Sequence, residues 1–292
     1  MLTDSVAVIG LGAMGGRAAG KLASSGVAVR GFDPAPAYDS LPGSVTRCPA
    51  PGDAAQGSGL VLLSLPGPDE VLGIVRDLAG TARGSLIVDA STIDPGTARA
   101  AAAVAAENGA VYVDAPVLGR PQACGQWTLV AGGPEDAVRR AAGLLEGRIA
   151  RQVVHVGETG TGSAVKIMNN LMFGAINAVT AEALAMCEAV GVDPGQFVSL
   201  IAGSGAATVS GLFREIGPKI AAADFSPRFS LALLDKDTRL AVKLAEAAGT
   251  PAFMARCVEQ VNRLALDQGF GAEDSSAVWR VYRTLARRNP AP

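Results

Sequence analysis

A strand that runs directly into a glycine-rich turn and then into a helix is the feature that most constrains this fold. The apolar run Val6–Ile9 is followed by GLGAMG at residues 10–15 and by an alanine-rich stretch typical of a helix. Glycines let a backbone turn tightly and approach a pyrophosphate, whose charge can rest on the helix N-terminus. A second apolar run ends in Asp33, 21 residues beyond Gly12, where a carboxylate would bind ribose hydroxyls. The pattern predicts a dinucleotide-binding Rossmann domain.

The charge of Asp33 favours one nicotinamide dinucleotide over the other. A carboxylate repels the 2′-phosphate of NADP, and no arginine follows directly in the segment FDPAPAY, although Arg30 lies three residues earlier. We therefore expect NAD as the cofactor, with NADP less favoured. The residues predicted to contact it in this part of the chain are Gly10, Leu11, Gly12, Ala13, Met14, Gly15 and Asp33.

Two domains are expected from the change in pattern along the chain. From residue 6 to about 155, short Val/Ile/Leu-rich runs alternate with helical stretches, which is typical of buried parallel strands covered by helices on both faces. From Gly162 nearly thirty residues lack proline, which predicts one long helix that ends at Gly191 before Asp193-Pro194. The predicted fold is α/β, with a Rossmann domain at 1–161 and an all-helical domain at 162–292, of which 162–191 form an interdomain helix.

Composition excludes several classes of function. The 25 Lys and Arg residues against 27 Asp and Glu give a net charge of -2, too little positive field for sequence-independent nucleic-acid binding. The N-terminus does not resemble a signal peptide, and no apolar run was expected to approach the roughly 18 residues that cross a bilayer. The four cysteines form no CxxC pair, which predicts neither a metal site nor disulfides and favours a cytoplasmic protein. The single histidine, His155, lies in a β-branched run and is interpreted as structural.

Six segments together resemble the β-hydroxyacid dehydrogenases, the family typified by 3-hydroxyisobutyrate dehydrogenase. They are IGLGAMG near the start, SLP at 64–66, DASTIDP at 89–95, DAPV at 114–117, GETGTGSAVKIMNN at 157–170 and LLDKD at 233–237. The resemblance spans nearly the whole chain. It implies oxidation of the alcohol on the β-carbon of a small carboxylic acid, or reduction of the corresponding semialdehyde, and a homodimer or homotetramer.

The resemblance also implies roles for individual residues. Lys166 matches the lysine of the family's KxxNN motif and would be the general acid/base, with Asn169 and Asn170 holding it and the substrate. Hydride transfer from an alcohol needs such a proton acceptor, and this chain has almost no histidine to serve. A helix places Lys166, Asn169, Asn170 and Phe173 on one face. Further cofactor contacts carried over from the family are Leu65, Pro66, Thr92 and Lys236.

The predicted substrate loop departs from the family. Where members usually have Ser-Gly-Gly after DAPV, this chain has Leu118-Gly119-Arg120. A hydroxyl is lost and a guanidinium is gained, and arginine offers a planar fork suited to carboxylate, sulfonate or phosphate. Leu118, Gly119 and Arg120 are therefore predicted substrate contacts for a small anionic hydroxy acid or semialdehyde, although a solvated arginine without a ligand is an equally open reading.

Three alternatives stay open. The Gly-Arg pair also resembles the sulfolactaldehyde reductases, which act on an anionic aldehyde. Imine reductases share the fold and the glycine motif but generally lack a lysine at the position of Lys166. A non-catalytic dinucleotide-sensing module would most naturally have lost Lys166 or Asn170, and both are present.

Overall fold

The computed structural model describes residues 5–35 and 44–288. The chain divides into two compact units, Met1–Lys166 and Ile167–Pro292. This division falls inside the long helix, whereas the pattern of the sequence places the domain boundary at its start. Tyr38 and its neighbours in the segment after Asp33, on which the cofactor argument partly relied, lie outside the described residues.

The first unit is built on a sheet, and nine of its strands lie in the described ranges. They are β1 (Ser5–Ile9), β2 (Ala28–Phe32), β3 (Val45–Arg47), β4 (Leu60–Leu63), β5 (Leu86–Asp89), β6 (Val111–Asp114), β7 (Val117–Leu118), β8 (Trp127–Gly132) and β9 (Ala150–Gly157). The first six are all parallel, in the order β3-β2-β1-β4-β5-β6. This is the strand order of the Rossmann fold, so the predicted fold class is confirmed.

Among the residues that the structure describes, five helices cover this sheet: α1 (Gly15–Ser24), α2 (Pro51–Ala55), α3 (Pro68–Asp77), α4 (Pro95–Glu107) and α5 (Glu135–Leu145). Successive side chains of β1 enter different cores, with Val6 and Val8 in one hydrophobic cluster and Ala7 and Ile9 in another. Side chains of a strand alternate between faces, so both faces of the sheet are buried. This is why the inner strands β1 and β4 are almost entirely apolar, while the buried carboxylates of β5 and β6 lie at the last residue of each strand.

The last part of the sheet corrects the expectation that every strand is parallel and buried. β8 runs antiparallel to both β6 and β7, and it pairs in parallel with β9. Only eight residues separate Leu118, at the end of β7, from Trp127, fewer than the dozen or so that a parallel crossover needs, so the chain turns back on itself. β9 pairs only with β8 among the described strands, and its position at the edge leaves Val154 38% exposed.

The second unit is helical. Its elements are α6 (Thr161–Ala189), which begins in the first unit, α7 (Pro194–Gly203), α8 (Gly211–Ala221), α9 (Leu231–Ala247), α10 (Phe253–Asp267) and α11 (Trp279–Arg288). After α6, Gly191 adopts φ +82° and the Val192 N–H donates to the Cys187 carbonyl at 2.8 Å, which ends the helix in a Schellman turn. Asp193 then caps α7 by accepting from the Gln196 N–H. The predicted long helix and helical second half are confirmed.

The helix α6 is more apolar than the sequence analysis allowed. By length and composition alone it could cross a membrane, since an 18-residue window has a mean hydropathy of 1.3, and 44% of that window is buried in this chain. One such helix does not by itself indicate a membrane protein, because long core helices of globular proteins can have the same length and apolar composition. The expectation that no apolar run approaches that length was therefore wrong, while the fold around the helix gives no indication of a membrane protein.

Candidate active site

The glycine-rich turn lies between β1 and α1, and packing requires two of its glycines. Gly10 has φ +88°, and a Cβ there would overlap the carbonyl oxygen of Ser64 at the end of β4. A Cβ at Gly15 would overlap the carbonyl of Gly10, so the start of α1 sits directly on the turn. Only glycine fits these close approaches of backbone to backbone.

The third glycine of the motif, Gly12, has a different environment. A Cβ at Gly12 would meet no atom of the described residues within 4 Å, so none of them requires a glycine there. The nearby start of α1 has no acidic residue in its first turn and no side-chain cap. A helix N-terminus with these properties favours an anion, and a glycine beside it leaves room for one. The turn therefore fits the pyrophosphate of a dinucleotide.

Asp33 lies just beyond the end of β2, the strand next to β1. Its Oδ2 accepts from the Leu11 N–H at 2.6 Å and its Oδ1 from the Ala35 N–H at 2.9 Å. The carboxylate is thus held against the glycine turn, at the end of the strand next to β1. The Arg30 guanidinium donates to the Gln56 carbonyl at 2.7 Å.

A second arginine, which the sequence analysis missed, lies on the neighbouring strand. Arg47 ends β3 and is in register with Gly31 of β2, two residues before Asp33. Its side chain is exposed. It was missed because β3 is only three residues long and was not predicted. A guanidinium here bears on the choice between NAD and NADP.

A chain of hydrogen bonds joins the loops that carry Leu65 and Thr92. The Leu65 N–H donates to the Ser91 Oγ at 2.9 Å, the Ser91 N–H donates to Asp89 Oδ1 at 2.9 Å, and the Tyr112 hydroxyl donates to Asp89 Oδ2 at 2.7 Å. Burial, and then the charge of Asp89, raise the pKa of Tyr112 well above its usual value of 10. The network fixes both loops at the carboxyl edge of the sheet. Pro66 is exposed there and Thr92 is half-buried.

The predicted substrate loop, residues 118–120, is held by Trp127. The indole N–H of this buried side chain donates to the Arg120 carbonyl at 2.7 Å, and Leu118 pairs with Thr128 of β8. A Cβ at Gly119 would lie 2.7 Å from Trp127 Cδ1, so a glycine is needed for the loop to pass the ring. The loop backbone is therefore fixed, and the half-buried Arg120 projects from it.

Lys166 lies beside this loop in the first unit. Its Nζ donates to the Val117 carbonyl oxygen at 2.8 Å, and Val117 directly precedes Leu118. A carbonyl can accept a hydrogen bond from either the amine or the ammonium form of lysine. The contact therefore holds Nζ next to the predicted substrate loop in both protonation states.

Asp114, at the carboxyl end of β6, anchors the start of the helix that carries Lys166. Its side chain is 1% exposed, Oδ1 accepts from the Gly160 N–H at 2.7 Å, and Oδ2 accepts from the Ser163 N–H at 2.7 Å. Burial raises the pKa of Asp114, and the hydrogen bonds from Gly160 and Ser163 act in the opposite direction. The segment DAPV is recognisable as a motif, but no sequence pattern indicates this contact.

The second unit gathers the remaining predicted residues around Asp237. Asn170 Nδ2 donates to Asp237 Oδ2 at 2.6 Å, and Asn169 Nδ2 donates to Asn170 Oδ1 at 3.1 Å. Lys236 Nζ forms an ion pair with Asp237 Oδ1 at 3.0 Å. Asp237 is 2% exposed, so the carboxylate is a buried hub. The sequence analysis treated it only as a neighbour of Lys236.

His155 and the cysteines take no part in these clusters. His155 is exposed on β9, with Nε2 2.9 Å from the carbonyl oxygens of both Gly133 and Gly157. All four cysteines are free. Within the described ranges no group of three or more His, Cys, Asp or Glu side chains could hold a metal ion.

Family models match both parts of the chain. Residues 5–157 match the NAD binding domain of 6-phosphogluconate dehydrogenase, and residues 160–282 match the NAD-binding model of NADP-dependent 3-hydroxyisobutyrate dehydrogenase. Together they cover both units.

Characterised relatives match over nearly their full length. The 2-(hydroxymethyl)glutarate dehydrogenase of Eubacterium barkeri is 32% identical over 96% of this chain and 95% of the relative. The 3-sulfolactaldehyde reductase of Escherichia coli is 32% identical over 97% of both chains. A solved structure of 3-hydroxyisobutyrate dehydrogenase from Mycobacterium tuberculosis with L-serine has a TM-score of 0.85 and 30% identity, and the match covers 97% of this chain and 100% of that one.

Proposed function

The chain belongs to the β-hydroxyacid dehydrogenase family and is an NAD(P)-dependent oxidoreductase acting on a CH–OH group; from this premise we propose that it interconverts a small β-hydroxy acid and its semialdehyde with NAD, using Lys166 as general acid/base. The observation that carries the proposal is the 2.8 Å hydrogen bond from Lys166 Nζ to the Val117 carbonyl, which fixes the amine beside the substrate loop.

Lys166 performs the proton transfer in this proposal. The nicotinamide cofactor, when bound, accepts a hydride from the carbinol carbon or returns one to the aldehyde carbon. In the oxidation the neutral amine of Lys166 takes the hydroxyl proton as the C–O bond becomes a carbonyl. In the reduction the ammonium gives that proton back to the developing alkoxide. The Val117 carbonyl keeps Nζ in place throughout.

The cofactor site we propose consists of the glycine turn and two adjoining loops. Gly10, Leu11, Gly12, Ala13, Met14 and Gly15 would hold the pyrophosphate, Asp33 the adenosine ribose, and Leu65, Pro66 and Thr92 further parts of the dinucleotide. Open space at Gly12 and the uncapped start of α1 support this assignment. Asp33 supports NAD, because its carboxylate would repel a 2′-phosphate, while Arg47 is the group that could partly offset that repulsion. Lys236 is proposed as a further cofactor contact.

The substrate we propose is a small anion. Leu118, Gly119 and Arg120 form the loop next to Lys166, and the arginine fork suits a carboxylate or sulfonate. Asn169 and Asn170 follow Lys166 on α6, and the buried Asp237 orients the Asn170 amide. These amides would donate hydrogen bonds to substrate oxygens.

A second candidate is reduction of an anionic aldehyde such as sulfolactaldehyde. The Gly119-Arg120 pair favours it, and a 3-sulfolactaldehyde reductase is among the relatives. Imine reduction and a non-catalytic sensing role are disfavoured, since Lys166 and Asn170 are both present and both hydrogen-bonded.

A substrate panel tests the proposed function. The enzyme is incubated with NAD or NADP and with 3-hydroxyisobutyrate, L-serine, 2-(hydroxymethyl)glutarate or dihydroxypropanesulfonate, the alcohol that corresponds to sulfolactaldehyde, and reduced nicotinamide is followed by absorbance. We expect turnover of at least one carboxylate β-hydroxy acid, with a higher kcat/KM for NAD than for NADP. Turnover of the sulfonate alone would select the second candidate, and no turnover with any member would contradict both.

We also propose an oligomeric state and a cellular location for this enzyme. Met168, Met172, Val179 and Met186 of α6 are 52%, 65%, 61% and 62% exposed, and their spacing puts them in one stripe along the helix. A homodimer or homotetramer would cover this stripe with a second copy. We expect the enzyme to work in the cytoplasm, as a metabolic dehydrogenase without a bound metal.

A further inference from the structure

We propose that Asp114 is the positioning residue for Lys166: by holding the first turn of α6 it sets where the lysine amine meets the substrate loop. This inference rests on the proposed role of Lys166 as acid/base. Asp114 itself touches neither substrate nor cofactor in this account. Its two carboxylate oxygens each accept a 2.7 Å hydrogen bond from the backbone N–H groups of Gly160 and Ser163.

Two hydrogen bonds connect the short segment 114–117 to the start of α6. Asp114 holds the N–H of Ser163, and Val117, three residues later, holds the Nζ of Lys166 at 2.8 Å. Lys166 lies three residues after Ser163, about one helical turn. The segment 114–117 therefore fixes both the backbone of the turn that precedes Lys166 and the end of its side chain. Movement of the helix start would shift Nζ relative to residues 118–120.

The packing around Asp114 makes this junction rigid. A Cβ at Gly162, between the two N–H donors, would overlap the Val130 carbonyl and lie 2.8 Å from the Asp114 carbonyl oxygen. A Cβ at Gly132 would lie 2.7 Å from Asp114 Oδ1. The start of α6 is thus in direct contact with the ends of β6 and β8, where only glycines fit. Rigid elements hold a reacting group more accurately than loops do.

The electrostatics of the junction agree with this role. The first N–H groups of a helix lack partners within the helix and carry a partial positive charge, which a carboxylate complements. Asp114 satisfies two of these donors in a buried place, where leaving them without partners would be costly. The carboxylate charge of Asp114 therefore acts on the backbone of the helix start, and the lysine amine itself is held by a neutral carbonyl.

Asp94 provides a matched comparison in the same unit. It is also a buried aspartate at a helix start, 6% exposed, and its Oδ1 accepts from the N–H groups of Gly96 and Thr97. The helix it caps, α4, does not carry Lys166. A role in stability alone would make the two aspartates equivalent, whereas a positioning role separates them.

The test compares Asp114→Asn with Asp94→Ala in the whole enzyme. At Asp114 an amide offers one acceptor oxygen and turns its NH2 towards the other backbone donor, so one hydrogen bond is lost. At Asp94 both backbone N–H groups donate to the same oxygen, so alanine is the variant that removes their acceptor. For Asp114→Asn we expect kcat to fall by about 10- to 100-fold, the scale of a misplaced catalytic group, while the Kd of NAD changes by less than about two-fold. Asp94→Ala should also lower Tm, because it removes the N-cap acceptor of α4, and it should leave kcat nearly unchanged.

The possible outcomes are distinct. If Asp114→Asn keeps its kcat while Lys166→Ala is inactive, the positioning role is overturned and the proposed function stands. If Asp94→Ala loses as much kcat as Asp114→Asn, the effect is general destabilisation and the inference also fails. If Lys166→Ala keeps full turnover, the acid/base role fails and this inference falls with it. Should Asp114→Asn not fold, Asp114→Ser, which keeps one acceptor oxygen without an amide donor, undergoes the same comparison.

Discussion

At the scale of single residues, Asp33 determines the preference for NAD in this account. The Asp33→Ala variant should lose the ribose acceptor and the charge that repels a 2′-phosphate, while Arg47 stays on the adjacent strand. We expect kcat/KM for NAD to fall by about 10-fold or more and the NADP to NAD ratio to rise. Steady-state kinetics with NAD and with NADP measure this ratio. Arg30→Ala is the matched control, because that guanidinium binds the Gln56 carbonyl, and an unchanged ratio in Asp33→Ala would remove Asp33 from cofactor selection.

Arg120 tests how the substrate anion is bound. If its guanidinium pairs with the substrate, Arg120→Ala should lower kcat/KM by a factor that corresponds to a loss of about 2 to 3 kcal/mol of transition-state stabilisation. This is the scale of a charge-assisted hydrogen bond, and NAD binding should be unaffected. Arg139→Ala, which removes a surface arginine paired with Glu135, should leave kcat/KM unchanged. Equal kinetics for the two variants would mean that Arg120 is a solvated side chain and that the loop binds the anion through its backbone.

Residues with a characteristic sequence spacing were predictable, and residues defined by a backbone partner were not. The spacing of the glycines and Asp33 reflects a turn and a strand length, so a single sequence contains the signal. The partner of Lys166 is a carbonyl of Val117, which any residue could supply, and the partners of Asp114 are backbone N–H groups. Such contacts leave no side-chain pattern to recognise. Asp237 lies in the LLDKD segment but was not predicted as a site residue, because its partner Asn170 is 67 positions away in sequence.

At the scale of elements, the strand-turn-helix unit contains two kinds of glycine: one that packing requires and one that the proposed cofactor site requires. Gly10→Ala should destabilise the fold, because its Cβ would overlap the Ser64 carbonyl and φ is +88°. Gly12→Ala should fold with nearly the wild-type Tm, since its Cβ meets open space, but should weaken NAD binding by about 10-fold or more as the methyl group enters the pyrophosphate site. Thermal unfolding and NAD titration of both variants measure this. Normal NAD affinity in Gly12→Ala would place the pyrophosphate elsewhere.

Long elements were predictable and short ones were not. The runs that became β1, β4 and β5 and the long helix α6 have a clear apolar pattern, whereas β3 and β7 have three and two residues. Strands this short carry too few side chains to show alternation. The reversal of β8 depends on the short connection from β7, a strand that the apolar pattern does not reveal.

At the scale of the whole molecule, the apolar stripe of α6 predicts the assembly. We expect light scattering of the wild-type enzyme to give the mass of a dimer or tetramer. The double variant Met172→Glu and Met186→Glu should shift it towards the monomer, because two exposed methionines of the stripe would become charged in a desolvated interface. Val111→Glu, at a residue of β6 that is 37% exposed, is the control and should keep the mass. A wild-type monomer would contradict the proposal.

The central claim is that Lys166 transfers the proton, and turnover of Lys166→Ala tests it most directly. With the best substrate of the panel, kcat should fall by about 10² to 10⁴, the usual contribution of general acid/base catalysis, while the Kd of NAD stays unchanged. Lys166→Arg should be equally impaired, because a guanidinium keeps the positive charge but does not give up its proton. Lys21→Ala, on α1, is the control and should be fully active. The account predicts folded variants that bind NAD and do not turn over, and near wild-type kcat in Lys166→Ala would contradict it.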